Sequence, residues 1–203
     1  MIPSVETCFQ MMDRYGMLEH IKEHSIMVAG VAALIADGLL KAGSNICLRT
    51  TVAGALMHDI GKTLCLGNGK DHAAEGGRIC RRHAFDEIEP LVAEHVILRS
   101  FDPEGACTER EIVYYADKRV NHNRVVSLRE RLEYLLETYG GGLEWRRRAI
   151  RNNFRQCVEV EHKLFRRLPF GPESVQERVF EGLPHRIPLD WGSGTRSDSG
   201  RAG

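Results

Sequence analysis

Six cysteines occur in this chain, but none belongs to a CxxC pair or any regular spacing. That excludes a zinc knuckle or disulfide framework and suggests reduced, mostly buried small hydrophobes of a cytoplasmic protein. No uninterrupted apolar run approaches the ~18 residues of a membrane span. Nor does a basic region followed by an apolar core open the sequence, so neither span nor secretory leader is expected. Neither sign of charge is in excess: Lys+Arg and Asp+Glu both number 28. Long-range steering toward nucleic acid or an anionic membrane is therefore absent from the overall composition. Alternating strand patterns and internal repeats are missing too. The 203 residues suffice for one substantial core, and one domain is the default.

Apolar residues recur at helical spacing almost throughout, which predicts an all-α fold. Helices are expected over about 4–15, 18–41 (ended by Gly43), 46–60, 72–83, 87–98, 108–120, 127–139 and 143–168, with boundaries good to ~2–4 residues. A Gly/Asn/Lys loop covers 67–71, Asp102-Pro103 with Gly105 makes a turn, and Gly140-Gly141-Gly142 separates the last two helices. Three units follow: a helical bundle over 1–140, an amphipathic helix over 141–168 packed on it, and 169–203. In the last unit Pro, Gly and Arg prevail, and a mostly disordered tail is expected.

The most informative stretch is His58-Asp59-Ile60-Gly61-Lys62, HDIGK. An imidazole and a carboxylate side by side at a helix end make a hard nitrogen/oxygen metal site. The glycine is expected to end the helix, and the lysine beyond it can reach an anionic substrate. Four further candidate ligands, His24, His72, His95 and Asp117, each fall on a separate expected helix. His24 shares a face with Val28, Val31, Ile35 and Leu39, and His95 shares one with Ile88, Leu91 and Leu98. Asp117 lies in a stripe with Val113 and Val120, where an unpaired ionised carboxylate costs several kcal/mol, roughly. A lone core histidine is more often a hydrogen-bonded structural residue, and a buried aspartate more often caps a helix or pairs with an arginine such as Arg119 or Arg124. Six such residues drawn from five separate elements favour one joint centre for divalent cations.

These segments, in order, resemble the HD superfamily of metal-dependent phosphohydrolases and, within it, the HDIG branch. The matching strings are HSIMVAGVA, HDIGK, DHAAEG, AEHV and YYADKRV, over roughly residues 17–140. The resemblance implies an HD-domain helical bundle with His24, His58, Asp59 and Asp117 around a first metal. His72 and His95 would complete a second site, with Asp59 bridging, and Lys62 would meet phosphate. The function it implies is hydrolysis of a phosphate ester or anhydride, with Asp59 and Lys62 as catalytic residues and a nucleotide or other small phosphorylated substrate. Two divalent ions are expected, from among Mn, Fe, Zn, Co, Ni or Mg. YYADKRV is similar to a segment of HD enzymes that cleave diadenosine tetraphosphate, while the GYP signature of cyclic-di-GMP phosphodiesterases is absent. The alternatives are a diiron oxygenase of the same superfamily and a non-catalytic regulatory module; retention of all six ligands argues against the latter.

Several residues look chemical and are set aside. His20 precedes His24 by one turn but lacks the glutamate of HExxH. His83 lies too far along its helix from His72. Gly61-Lys62-Thr63 is not a P-loop, since Leu56 stands where the required glycine belongs. His122, His162 and His185 have no company in the sequence. The arginines from Arg146 to Arg155 read as a solvated helix face, with Leu143, Ile150, Phe154, Val158 and Phe165 docking on the bundle; neither a nucleic-acid nor a membrane partner is expected.

Overall fold

A computed structural model describes residues 1–186 of the chain. The fold is all-α apart from one two-residue-stranded hairpin. Its helices are α1 (Val5–Arg14), α2 (Glu19–Lys41), α3 (Leu48–Met57), α4 (Lys62–Cys65), α5 (His72–Arg82), α6 (Glu89–Glu94), α7 (Glu109–Lys118), α8 (Leu128–Tyr139), α9 (Glu144–Phe165) and α10 (Val175–Arg186). Between α7 and α8, β1 (Val120–Asn121) pairs antiparallel with β2 (Arg124–Val125).

Local chemistry sets several helix starts. Ser4 caps α1 by accepting from the Thr7 backbone N–H, and Asp71 caps α5 by accepting from Ala73 and Ala74. Thr108/Glu111 and Ser127/Glu130 form reciprocal capping boxes at α7 and α8. Gly43, at φ +82°, supplies the left-handed residue beyond α2.

The core is built around α2, which packs against α3, α7 and α10. Among the described residues α2 is the one helix long and apolar enough to cross a membrane, yet 72% of its apolar window is buried inside the molecule. Its sequence is that of a helix enclosed on nearly all sides. α5 packs on α6, α8 on α9, and α7 on both α3 and α9. α7 carries Tyr114 and Tyr115, whose rings are fully buried. Their hydroxyls reach Asn153 and Glu161 of α9.

The structure differs from the expectations in several places. Residues 169–186 are not a loose tail: Pro172–Ser174 form a 3-10 turn leading into α10, and Val175 and Val179 are buried. Leu168 and Phe170 fit against Gly38 of α2. The i,i+4 valine pair that anchors this helix is too short a signal to overcome the Pro- and Gly-rich composition around it. Residues 187–203 lie outside the described residues, as does the side chain of His185. On α9 the docking face is Phe154, Cys157, Val160 and Leu164, while Leu143 and Val158 are exposed and Ile150 and Phe165 are partly buried. The apolar face turns steadily around so long a helix, and Val158 falls beside it. Finally, the expected helix over 87–98 is only Glu89–Glu94, so His95 stands at its C-cap.

A buried ion pair ties α9 to α7. Lys163 Nζ lies 2.7 Å from Glu111 Oε1, with both side chains almost wholly inaccessible, and it also donates to the Asp102 carbonyl. Lys163→Met should therefore destabilise the fold by about 3–5 kcal/mol, by stranding Glu111. Adding Glu111→Gln should recover part of that, and urea unfolding of the single and double variants checks it. Thiol chemistry offers a second check. Cys8, Cys80 and Cys157 are buried, and burial raises each thiol to about 12. At the exposed Cys47, hydrogen bonds from Thr50 lower the thiol. Native protein should be alkylated first at Cys47, and Cys8, Cys80 and Cys157 should react only on unfolding.

Candidate metal centre

Five helix ends and one helix interior converge on Asp59. His24 comes from the second turn of α2, and His58 and Asp59 follow directly on α3. Lys62 opens α4, His72 opens α5, His95 closes α6, and Asp117 ends α7. All seven sequence-selected residues are thus brought together. His58, Asp59 and His95 are buried to 2% exposure or less, while His72 and Asp117, at 29% and 15% side-chain exposure, form the open side.

The two oxygens of Asp59 face different partners. Oδ1 lies 3.3 Å from His72 Nε2 and 3.5 Å from His95 Nε2. Oδ2 lies 3.4 Å from His58 Nε2 and 2.8 Å from Lys62 Nζ. Asp117 Oδ1 is 3.1 Å from His24 Nε2 and 3.7 Å from His58 Nε2. The donor atoms fall into two groups, His24/His58/Asp59 and Asp59/His72/His95, each with every atom within 4.8 Å of the others. Asp59 belongs to both.

Backbone carbonyls orient three imidazoles. His24 Nδ1 meets the His122 carbonyl at 2.8 Å, His58 Nδ1 that of Ala55 at 2.7 Å, and His95 Nδ1 that of Val92 at 2.7 Å. A carbonyl can only accept, so each Nδ1 carries a hydrogen and each Nε2 is turned toward the centre, as metal-ligating histidines require. His58 Nε2 and Asp59 Oδ1 are fully buried without any hydrogen-bond partner, and the Nε2 atoms of His72 and His95 stand 3.2 Å apart. Converging lone pairs and an unsatisfied buried carboxylate oxygen are costly among protein atoms alone. They suit a divalent cation, and mixed imidazole and carboxylate donors fit first-row metals.

Electrostatics agree with that fit. Burial alone would raise the Asp59 carboxyl, but His58, with His72 and His95 around it, holds it well below the usual carboxylate range. Burial likewise opposes the shift at Asp117, where Lys118 and His24 nonetheless hold the carboxyl low. Burial brings His95 down to about 4, leaving it neutral and available as a ligand near pH 7. Burial of His58 is outweighed by Asp59 and Asp117, which raise it; protons and metal compete there.

The expected role of Gly61 changes. Its φ of −83° is an ordinary right-handed value, so it is not a left-handed helix terminator. Glycine is required by contact instead: a Cβ here would collide with the His72 carbonyl oxygen and lie 2.7 Å from the Gly76 nitrogen. The absence of a side chain lets α5 close on the His58-Asp59 turn and carry His72 to Asp59.

The decoys separate as well. His83 bonds Tyr15 Oη at 2.9 Å, away from the centre. His20 is exposed at the rim of an adjoining cavity, and His162 is exposed elsewhere. Arg119 is not the partner of Asp117; it bonds the Val126 and Pro172 carbonyls and Tyr115. Two contributors were missed in the sequence. Lys118, buried, donates to Asp117 Oδ2 at 3.2 Å and to the His95 carbonyl, and the spacing of ADK alone hints at it. His122, in the hairpin turn at φ 54°, orients His24 through its carbonyl, a backbone role no side-chain pattern reveals.

Residues 21–121 match the family model of the HD domain, and the chain belongs to this family. Among curated proteins it is similar to the tRNA (cytidine(56)-2'-O)-methyltransferase of Thermoplasma volcanium, 34% identical over 96 residues (47% of this chain, 26% of that protein). It is also similar to ribonuclease Y of Treponema denticola, 32% identical over 136 residues (63% of this chain, 25% of that protein). A second such methyltransferase, from Picrophilus torridus, is 27% identical over 151 residues, 65% of this chain and 40% of that protein. The chain thus spans between a quarter and two fifths of the length of these relatives. No solved structure matches it.

Because two backbones meet at Gly61, Gly61→Ala should lower stability by about 1–3 kcal/mol and draw His72 away from Asp59. Thermal unfolding with and without added Mn2+ checks this: the melting temperature should fall in both, and the metal-induced rise should shrink.

Proposed function

We propose that this chain is a metal-dependent phosphohydrolase of the HDIG branch, acting through a binuclear centre on a phosphate ester or anhydride. One observation carries the reading: the two oxygens of a single buried aspartate face two separate groups of histidines. His24, His58, Asp59 and Asp117 would hold one divalent cation, and Asp59, His72 and His95 a second. Cations held there supply Lewis acidity toward phosphoryl oxygens and make water nucleophilic at neutral pH. The protein's own part is positioning. Lys62, whose ammonium is held charged by Asp59 despite partial burial, projects beside that carboxylate and stabilises negative charge on the transferring phosphoryl group. Lys118 fixes Asp117 and the His95 backbone at once. The three carbonyl-held imidazoles are set before substrate arrives, so little reorganisation accompanies the reaction.

On substrate, the cavity that reaches Asp59, His72, His95 and Asp117 measures ≈ 470 Å3 and has Leu135, Ile150 and Phe154 on its apolar side. That volume lies in the range of small-molecule sites and supports a nucleotide or similar phosphorylated compound. The similarity to ribonuclease Y adds RNA cleavage to the chemistries worth assaying. The reducing cytoplasm is part of the same proposal, resting on six cysteines that are all free.

Metal analysis of the purified chain, followed by a panel of phosphorylated metabolites with each divalent ion, tests the proposal. Wild type is expected to hold about two ions per chain, His72→Ala about one, and Asp59→Asn essentially none. Hydrolysis should fall at least ~1,000-fold in Asp59→Asn and ~10–100-fold in Lys62→Ala. A wild-type protein without bound metal and without metal-stimulated hydrolysis would overturn it.

A further inference from the structure

The cavity that reaches the metal centre meets a second one, of ≈ 220 Å3, and both are lined by Lys62, Leu66, Arg131 and Tyr139. The wall of the larger cavity carries four cationic side chains, Lys62, Lys70, Lys118 and Arg131, against two carboxylates, Asp59 and Asp117. The carboxylates already have lysine partners: Lys62 sits 2.8 Å from Asp59 and Lys118 3.2 Å from Asp117. Lys70 and Arg131 make no ion pair among the described residues. Two positive charges in a partly enclosed space therefore face the cavity uncompensated.

Arg131 is held in a way that suits ligand capture. Nη1 donates to Asn121 Oδ1 at 2.8 Å, and the guanidinium lies 5.5 Å from the centre of the Tyr134 ring. Nε–H is buried with no acceptor. A buried guanidinium N–H without a partner is costly. Nε is closed off from the cavity, so Nη2, which makes no hydrogen bond among the described residues, is the nitrogen left to meet an anion in the cavities that Arg131 lines. Asn121 belongs to the hairpin whose next residue, His122, fixes His24. The same turn therefore sets Arg131 relative to the metal centre.

We propose that Arg131, flanked by Lys70 at the rim, forms a second phosphate subsite beside the hydrolytic centre. The substrate is then a nucleoside-sized molecule with at least two phosphates, one at Lys62 for reaction and one at Arg131 for recognition. A phosphate fits better than a carboxylate because it carries about two charges, the number left uncompensated on the wall. This rests on the phosphohydrolase reading, whose centre receives the first phosphate.

The test is calorimetric titration of the full chain with AMP, ADP and adenosine 3′,5′-bisphosphate, in chelator and again with Mn2+. It is run on wild type, Arg131→Gln and Arg131→Lys, with circular dichroism confirming the fold of each. Wild type should bind at least one two-phosphate ligand ~10-fold or more tighter than AMP, a preference of the size one well-placed charged contact supplies. That ratio should fall to within ~3-fold in Arg131→Gln and lie between in Arg131→Lys, which keeps the charge but loses the planar guanidinium and its bond to Asn121. Should Arg131→Gln fail to fold, Arg131→Lys alone decides. A wild type without the preference, or without binding, overturns the proposal, and so does a ratio that survives both substitutions. A clear Arg131-dependent preference without any metal-stimulated turnover would instead leave this subsite standing and remove the phosphohydrolase reading.

Discussion

A carboxylate taken out of water is the constraint around which this molecule is arranged. Asp59 is 1% exposed, and an ionised group so placed must be neutralised or matched by charge and dipoles. The fold surrounds it with His58, His72, His95 and Lys62, drawn from α3, α4, α5 and α6. The same solution demands that these elements approach closely, which is why Gly61 stands where α5 meets the turn. Packing and chemistry here are one requirement.

Around the donors lies a layer of backbone atoms that does much of the orienting. The carbonyls of Ala55, Val92 and His122 turn three imidazoles so that Nε2 points to the centre. Two of those carbonyls, Ala55 and Val92, belong to the helices that carry the histidines, three residues earlier, so local helix geometry is enough. The third comes from the β1–β2 hairpin, almost a hundred residues away in sequence. That hairpin also holds Arg131 through Asn121, so the orientation of His24 and the proposed phosphate subsite depend on the same turn.

Charge follows the same division of labour. Overall neutrality conceals a cavity wall where cations outnumber carboxylates, set against an apolar side supplied by α8 and α9. Long-range attraction of anions is thus weak, and selection acts at contact distance, where desolvation strengthens each interaction. The exposed arginines of α9 lie largely outside that cavity and fit the solvated face their spacing implies.

The helical class and most helix starts were legible because 3.6-residue periodicity is a local property of the chain, and the caps that fix those starts in the structure, Ser4, Asp71, Thr108 and Ser127, are local too. His24, Asp59, His95 and Asp117 could be singled out because His and Asp on apolar faces pose a desolvation problem visible without coordinates, while Lys62 came from the HDIGK string and the role of His72 from the family resemblance. What periodicity could not convey was anything resting on contacts distant in sequence. Examples are α10 docking through Val175 and Val179, Gly61 serving close approach instead of helix termination, the His122 carbonyl on His24, and the unpartnered Nε of Arg131. Sequence alone determined which side chains needed a shared partner; only the tertiary structure decided how they face one another, because that depends on where separate helices end in space.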